Sequence, residues 1–285
     1  MAVYKRTYHS YAGPLTNPLW RFLVLQRFAF KAVMKSRFLL IGYLACFIAP
    51  VLIICMLYLN QNASILAMVK QKPGFLNIDG RYFFNFLNFQ AVCAGLLTAF
   101  VGPTLVAPDL ANGALPMYLS RSLSRAEYIL GKGMVLGAII SSITLAPLLL
   151  MFAVQSSLVG YAWFIDNFYL FNAIVVASLL VMSVFILLGL AMSAWVRWRI
   201  VAGALVLGSF VAGKGFGAVI NGVMRTEKGY YLDLQHLLSS VGGSLFHNAA
   251  ADEPISALAA FITLMIFCVG LLLLINRKLR VCEAA

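Results

Sequence analysis

Six runs of about twenty consecutive, mostly apolar residues leave this chain few folds to choose from. They cover residues 38–59, 86–107, 134–158, 169–194, 200–221 and 255–275. Crossing the hydrocarbon of a bilayer takes about 20 apolar residues in a helix, because lipid offers no partner to a backbone N–H or C=O and the helix satisfies its own. The runs therefore predict an all-α integral membrane fold with six spanning helices. Hydrophobic residues make up 62% of the chain and charged residues 11%, where a soluble domain carries about 25% charged. Too little polar surface remains to coat a body facing water. The third and fourth runs are long enough to tilt or protrude.

The organisation that follows is a polar, basic segment at 1–37, a six-helix domain at 38–275 and a short tail at 276–285. Residues 1–37 lack the pattern of a cleavable leader. The five cysteines form no C-x-x-C pair and read as apolar fillers.

Lys and Arg are distributed unevenly between the two sides of the predicted bundle. One side collects Lys5, Arg6, Arg21, Arg27, Lys31, Lys35, Arg37, Arg121, Arg125, Lys132, Arg197, Arg199, Arg277, Lys278 and Arg280. The other carries Lys70, Lys72, Arg81, Arg225 and Lys228. The excess of cations marks the cytoplasmic side, so both termini are expected there, as an even number of spans requires. A net charge of +12 in a soluble protein would point to nucleic acid. Here the cations sit between apolar runs, which assigns them to orientation and anionic headgroups and makes the lipid bilayer, not nucleic acid, the expected partner.

Residues 18–36 form a different kind of helix. At 100° per residue Arg21, Arg27, Lys31 and Lys35 share one arc, and Phe22, Leu25, Ala29, Phe30 and Val33 the opposite one. A cationic face opposite an apolar one suits a helix lying flat at the inner leaflet, with Trp20 at headgroup level. The alternative is an extension of the first span. The connection at 222–254 carries Tyr230, Tyr231, Leu232, Leu234, Leu237 and Leu238, too many apolar residues for a free loop. It predicts a short helix or re-entrant hairpin at the outer interface. Tyr161, Trp163 and Phe164, between the third and fourth runs, suit an interfacial aromatic belt.

The richest segment follows the second run: PTLVAPDLANGALPMYLSRSLSRAEYILGK, residues 103–132. Pro108 and Asp109 end one helix and Asn112-Gly113 marks a turn. Leu115–Leu119 is a brief apolar patch, too short to span. Ser124 and Glu127 make S-x-x-E, a capping box that starts another helix. A short exposed element thus sits between two helix ends, where a partner gripping it would move both.

Asp109, Gly113, Leu115, Leu119, Ser120, Arg121, Leu123, Ser124, Arg125, Glu127, Tyr128, Gly131 and Lys132 give this segment a pattern that resembles the permease subunits of type-2 ABC exporters. Ala114 and Ser122 depart from the pattern mildly, where Thr and Pro are usual. The resemblance implies a subunit that pairs with a second permease copy or a paralogue. It implies a separate cytoplasmic ATPase, carrying ATP and Mg, bound through the connection after span two, and location in a bacterial cytoplasmic (inner) membrane. On that reading Asp109, Gly113, Leu115, Leu119, Arg121, Ser124, Arg125 and Glu127 form the coupling contact. Arg121 and Arg125 would pair with acidic ATPase groups, or else touch lipid headgroups.

The chain shows no G-x-x-x-x-G-K-[ST], so energy is expected from a partner and no cofactor from this chain. Lys214 stands out as a charge inside the fifth run, away from its ends. Intramembrane charges mark translocation paths, although a long side chain also snorkels to an interface. It lies in a G-x-x-x-G at 213–217, which permits close packing. His236 and His247 share the last outer connection with Asp233, Asp252 and Glu253 but not a metal-binding spacing, so no metal is expected. Pro50, Pro103 and Pro147 predict kinks. An ion-coupled carrier would place carboxylates in its spans and repeat its halves, and neither pattern is evident here. A membrane assembly or maturation factor would need a polar cluster at one leaflet.

Overall fold

The computed structural model describes residues 21–61, 78–121, 124–248 and 254–284. Among them every regular element is a helix: α1 (Arg21–Met34), α2 (Arg37–Ala45), α3 (Ile48–Gln61), α4 (Gly80–Leu105), α5 (Ala107–Ala111), α6 (Ala114–Arg121), α7 (Arg125–Ile143), α8 (Leu145–Val159), α9 (Tyr161–Asp166), α10 (Phe168–Trp195), α11 (Arg199–Met224), a 3-10 turn (Lys228–Leu232), α12 (Leu234–Leu245) and α13 (Ala257–Ala284). Among the described residues six stretches are long and apolar enough to cross a membrane: Arg37–Asn60, Gly80–Ala111, Arg125–Val159, Phe168–Trp195, Arg199–Met224 and Ala257–Arg280. They coincide with the six expected runs, with three changes at the ends. The second begins at Gly80, the third begins at Arg125, and the sixth continues without a break through the expected tail to Ala284.

The spans are not equivalent. In the most apolar stretch of the second, third and fourth, 61% of residues are buried, against 17%, 22% and 28% in the first, fifth and sixth. The three inner spans form the core, and α10 is its axis, packed on α4, α7, α11 and α13. Small residues set the crossings. A Cβ on Gly102 would stand 3.1 Å from Cα of Gly189, and one on Gly189 only 2.8 Å from Thr98 Cγ2. The second and fourth spans therefore touch backbone to backbone, as close membrane packing favours.

Each proline kink has a local account. Proline frees the carbonyl four residues before it, and lipid cannot satisfy that oxygen. Pro50 sits in the first turn of α3 and frees the carbonyl of Cys46, where the first span breaks between α2 and α3. Gln90, fully buried in α4, donates its Nε2 to that oxygen at 3.3 Å. Pro103 in α4 frees Ala99 O, and Gly203 of the fifth span packs over it, with room for no more than a hydrogen: a Cβ there would be 2.5 Å from the oxygen. Pro147 lies just beyond the break between α7 and α8 at Thr144.

One end of the bundle carries α1, α5, α6, Arg197 and Arg199; we call it the basic end. Here α1 is the amphipathic helix expected from the sequence. Leu25, Ala29 and Val33 pack on the core, while Arg27, Lys31 and Lys35 are exposed. It lies against α7, where Gly131 lets the Phe22 carbonyl approach: a Cβ would be 3.0 Å away. Trp20 lies outside the described residues. Phe28 is exposed as well, at 71%, so this helix has an apolar flank turned away from the protein, as an interfacial position requires.

At the far end the described part of the connection after the fifth span folds into the 3-10 turn and α12, the latter capped by Asp233, which accepts from the N–H of Gln235 (3.0 Å) and of His236 (3.2 Å). The G-x-x-x-G of the fifth span is used here. Gly217 packs on Gly229, and Gly213 on the carbonyl of Leu232, so the turn folds back on α11. Asn221 Oδ1 holds the turn by accepting Gly229 N–H at 2.7 Å. The expected aromatic cluster is α9, whose Trp163 and Phe164 pack on Phe152 at 5.6 and 5.8 Å.

Replacing Gln90 with Leu should leave the Cys46 carbonyl unpaired in an apolar setting and cost ~1–2 kcal/mol. Thermal unfolding in detergent measures this, and an unchanged midpoint would remove Gln90 from the account of the kink.

Candidate functional site

The segment singled out in the sequence forms a compact wedge at the basic end. Within the second span α4 stops at Leu105, and α5 starts two residues on, with Pro108 in its first turn, where the missing N–H costs nothing. The N–H groups released by the break are met from the neighbouring span: Ser193 Oγ, fully buried, accepts from Ala107 N (2.9 Å) and Val106 N (3.2 Å). Asn112 and Gly113 then turn the chain. Gly113 has φ +63° with open space where a Cβ would be, so it is needed for its backbone conformation and not for packing. After it comes α6, Ala114–Arg121.

The third span starts where its capping box says. Ser124 Oγ accepts Glu127 N–H at 3.3 Å, and the Glu127 carboxylate accepts Ser124 N–H at 2.7 Å. The helix therefore begins nine residues before the apolar run, as the capping box predicts. Lys132 lies two turns along α7 and is 6% exposed. The sequence places it on this helical lead-in but does not show what buries it.

Lys132 is neutralised by Asp109. Its Nζ lies 2.8 Å from Asp109 Oδ2, with the two side chains 8% and 16% exposed. Tyr128, one turn before Lys132 on the same face of α7, donates its hydroxyl to the same oxygen at 2.8 Å. The Lys132 ammonium also lies 5.8 Å from the centre of the Tyr128 ring, and Tyr118 of α6 packs on that ring at 6.3 Å. Ile275 and Leu279 of the sixth span close the space above this cluster together with Val106, Ile129, Leu190 and Ala194. Asp109 thus lies at the end of the second span as the structure defines it, a carboxylate that the run at 86–107 stopped short of. Its partner is internal, and it joins the end of the second span to the start of the third.

The other residues of the expected coupling contact take different positions. Leu115 faces inward, 1% exposed, while Met117 stands outward at 76%. Arg125 opens α7 and is half buried. Leu119 and Arg121 lie in α6, and their side chains fall outside the described residues. Lys214 is remote from this wedge, exposed on α11. The imidazoles of the far end are separately engaged: His247 stacks on Tyr169 at 4.5 Å and His236 lies on Tyr230 at 4.6 Å. Asp252 and Glu253 are outside the described residues.

Six apolar helices, an amphipathic helix and a short wedge clamped between two spans define a multi-pass helical membrane protein. A family model described as ABC-2 family transporter protein matches residues 29–275, and the chain belongs to that family. It is the membrane subunit of an ABC transporter, not itself the ATPase, and its family implies a partner ATPase subunit. A search of curated proteins returned no match.

The Asp109–Lys132 pair yields a thermodynamic cycle. Asp109→Asn strands a buried ammonium and should destabilise by ~3–5 kcal/mol. Lys132→Met alone should cost less, since the carboxylate is the more exposed partner and keeps the Tyr128 hydroxyl. The double variant should recover most of the loss, because the remaining groups are neutral. Unfolding midpoints of the three variants measure this; strictly additive losses would mean that the pair is not coupled.

Proposed function

We propose that this chain is the permease half of an exporter whose cytoplasmic ATPase, carrying ATP and Mg, grips the wedge formed by α5 and α6. The observation that carries the reading is the clamp beneath the wedge. Asp109, Tyr128, Lys132 and Ser193 tie it to the second, third and fourth spans. A push on α6 is then transmitted to three buried helices together, because packed interiors shift between discrete arrangements instead of deforming locally. In this role Leu115 anchors α6, Met117 presents its outer face, and Arg125 with Arg121 lines the approach for acidic groups of the ATPase. Gly113, Ser124 and Glu127 fix the two ends of the handle, and Leu119 lies within it.

The basic end faces the cytoplasm on this reading, with both termini on that side of a bacterial inner membrane. The cation bias and the exposed Arg27, Lys31 and Lys35 of α1 support it. A second permease copy or a paralogue would cover the first and fifth spans. These are the least buried of the six, and the fifth exposes Val211, Phe216, Val219 and Val223. Lys214 lies on that span and belongs to the translocation path.

The test is retention of the ATPase. Met117→Glu should release it from the purified complex while leaving the chain folded, since the side chain is outward. Leu115→Glu should unfold the basic end instead. If the ATPase stays bound to the Met117 variant at full stoichiometry, α6 is not the grip. A cysteine placed at Asn112 should react with impermeant maleimide only from the cytoplasmic face of oriented vesicles.

A further inference from the structure

The sixth span ends in cations that lack an acidic partner. Arg277 and Lys278 are neighbours on α13, the first exposed and the second half-buried, and Arg197 is exposed in the turn after α10. None of the three forms an ion pair among the described residues. The acidic side chains described at this end are already engaged: Asp109 pairs with Lys132, and Glu127 closes its capping box with Ser124. Two contacts tie the end of the fourth span to α13. The Trp195 indole N–H donates to the Leu274 carbonyl at 3.4 Å, and the Lys278 ammonium lies 5.6 Å from the centre of the Trp195 ring. An indole beside an ammonium at the end of a span marks the depth of the headgroups.

A shallow groove of about 410 Å³ leads up to this rim, lined by Phe267, Gly270, Leu271, Leu273, Leu274 and Arg277. Gly270, Leu273, Leu274 and Arg277 follow the i, i+3, i+4, i+7 spacing of one helix face. Gly270 is the floor: a Cβ there would have no neighbour within 4 Å, so nothing from the protein fills the place. Leu273 and Leu274 are 63% and 43% exposed, which leaves the groove open sideways to the bilayer. From Phe267 to Arg277 the helix rises ~15 Å, the depth of one leaflet of a hydrocarbon core ~30 Å thick. The sixth span packs chiefly on α10 and α12, so this face is not the one assigned to a second copy, which lies on the first and fifth spans.

We propose that this groove holds one anionic phospholipid of the leaflet at the basic end, with an acyl chain along Gly270 and Leu273 and its phosphate between Arg277 and Lys278. The length of the apolar stripe and the cations at its rim select that occupant. A water-soluble anion would leave the stripe uncovered, and a zwitterionic lipid would bring the cations no net counter-charge. The lipid is a resident of the site: it braces the turn after the fourth span against the sixth, where Trp195 and Lys278 already meet. Its binding does not depend on an ATPase holding α6.

The probes are phosphatidylglycerol and phosphatidylcholine carrying the same photoactivatable acyl chain, each added in trace amounts to phosphatidylcholine nanodiscs containing the complete complex. Label should map to 267–274, with phosphatidylglycerol favoured about twentyfold, two cations at about fivefold each. Arg277→Gln should lower that preference to about fivefold, and Arg277→Lys should keep it. Gly270→Leu fills the floor with a better helix former and should cut the label in this segment to the phosphatidylcholine level. Lys31→Gln, which removes an exposed cation of α1, should leave the preference unchanged. Equal labelling by the two lipids, a preference that survives Arg277→Gln, or a loss of equal size in Lys31→Gln would each overturn the proposal. Displacement of the label by glycerol phosphate, which has the anion and no chains, would overturn it as well.

Discussion

The carboxylate of Asp109 and the ammonium of Lys132, 2.8 Å apart and nearly dry, hold the basic end together. Neither charge is tolerable there alone, since an isolated ion in such surroundings costs several kcal/mol. The pair is therefore a condition on the geometry around it as much as a source of stability. It holds the turn after the second span against the first turns of the third, and the Tyr128 hydroxyl and Ser193 supply the remaining hydrogen bonds. With those in place α6 has a defined platform, and its buried Leu115 and outward Met117 follow from that platform.

Much of this was legible in the chain. Hydropathy located all six spans, the S-x-x-E at Ser124–Glu127 marked a helix start that the structure reproduces bond for bond, and the 100° wheel separated the two faces of α1. Residues 125–133 are too mixed to belong to a hydropathy run, and the capping box commits them to helix instead. The sequence places Lys132 on that lead-in but does not show its burial against Asp109. The sequence does not announce pairings that depend on tertiary crossing. Gln90 meets the Cys46 carbonyl 44 positions away, and Gly203 meets the carbonyl of Ala99 only because two spans cross there. Nothing local to either residue points to the other.

The contrast between inner and outer spans gives the molecule two mechanical classes of part. The second and fourth spans share backbone contacts, the third packs its glycines on side chains of the fourth and joins the second through the Asp109–Lys132 pair, and the three resist sliding. The first and fifth present long exposed apolar faces, and the first is broken at Cys46–Phe47, while the fifth is held to the second through Gly203. Proteins move at elements with few buried contacts and keep their shape at those with many. A cavity of about 270 Å³ among the second, fourth and fifth spans and α12 lies where these classes meet, with walls from both.

The last helix deserves to be followed along its length. It runs unbroken from Ala257 to Ala284, touching α12 at one extreme and α6 at the other. At 1.5 Å per residue that is a strut of ~42 Å, and a strut has no preferred direction of use. If gripping α6 alters how the opposite extreme is held, linkage requires that occupancy at that extreme alter the grip by the same free energy. An ATPase that held α6 would then sense, through the same rod, what occupies the opposite side of the bilayer.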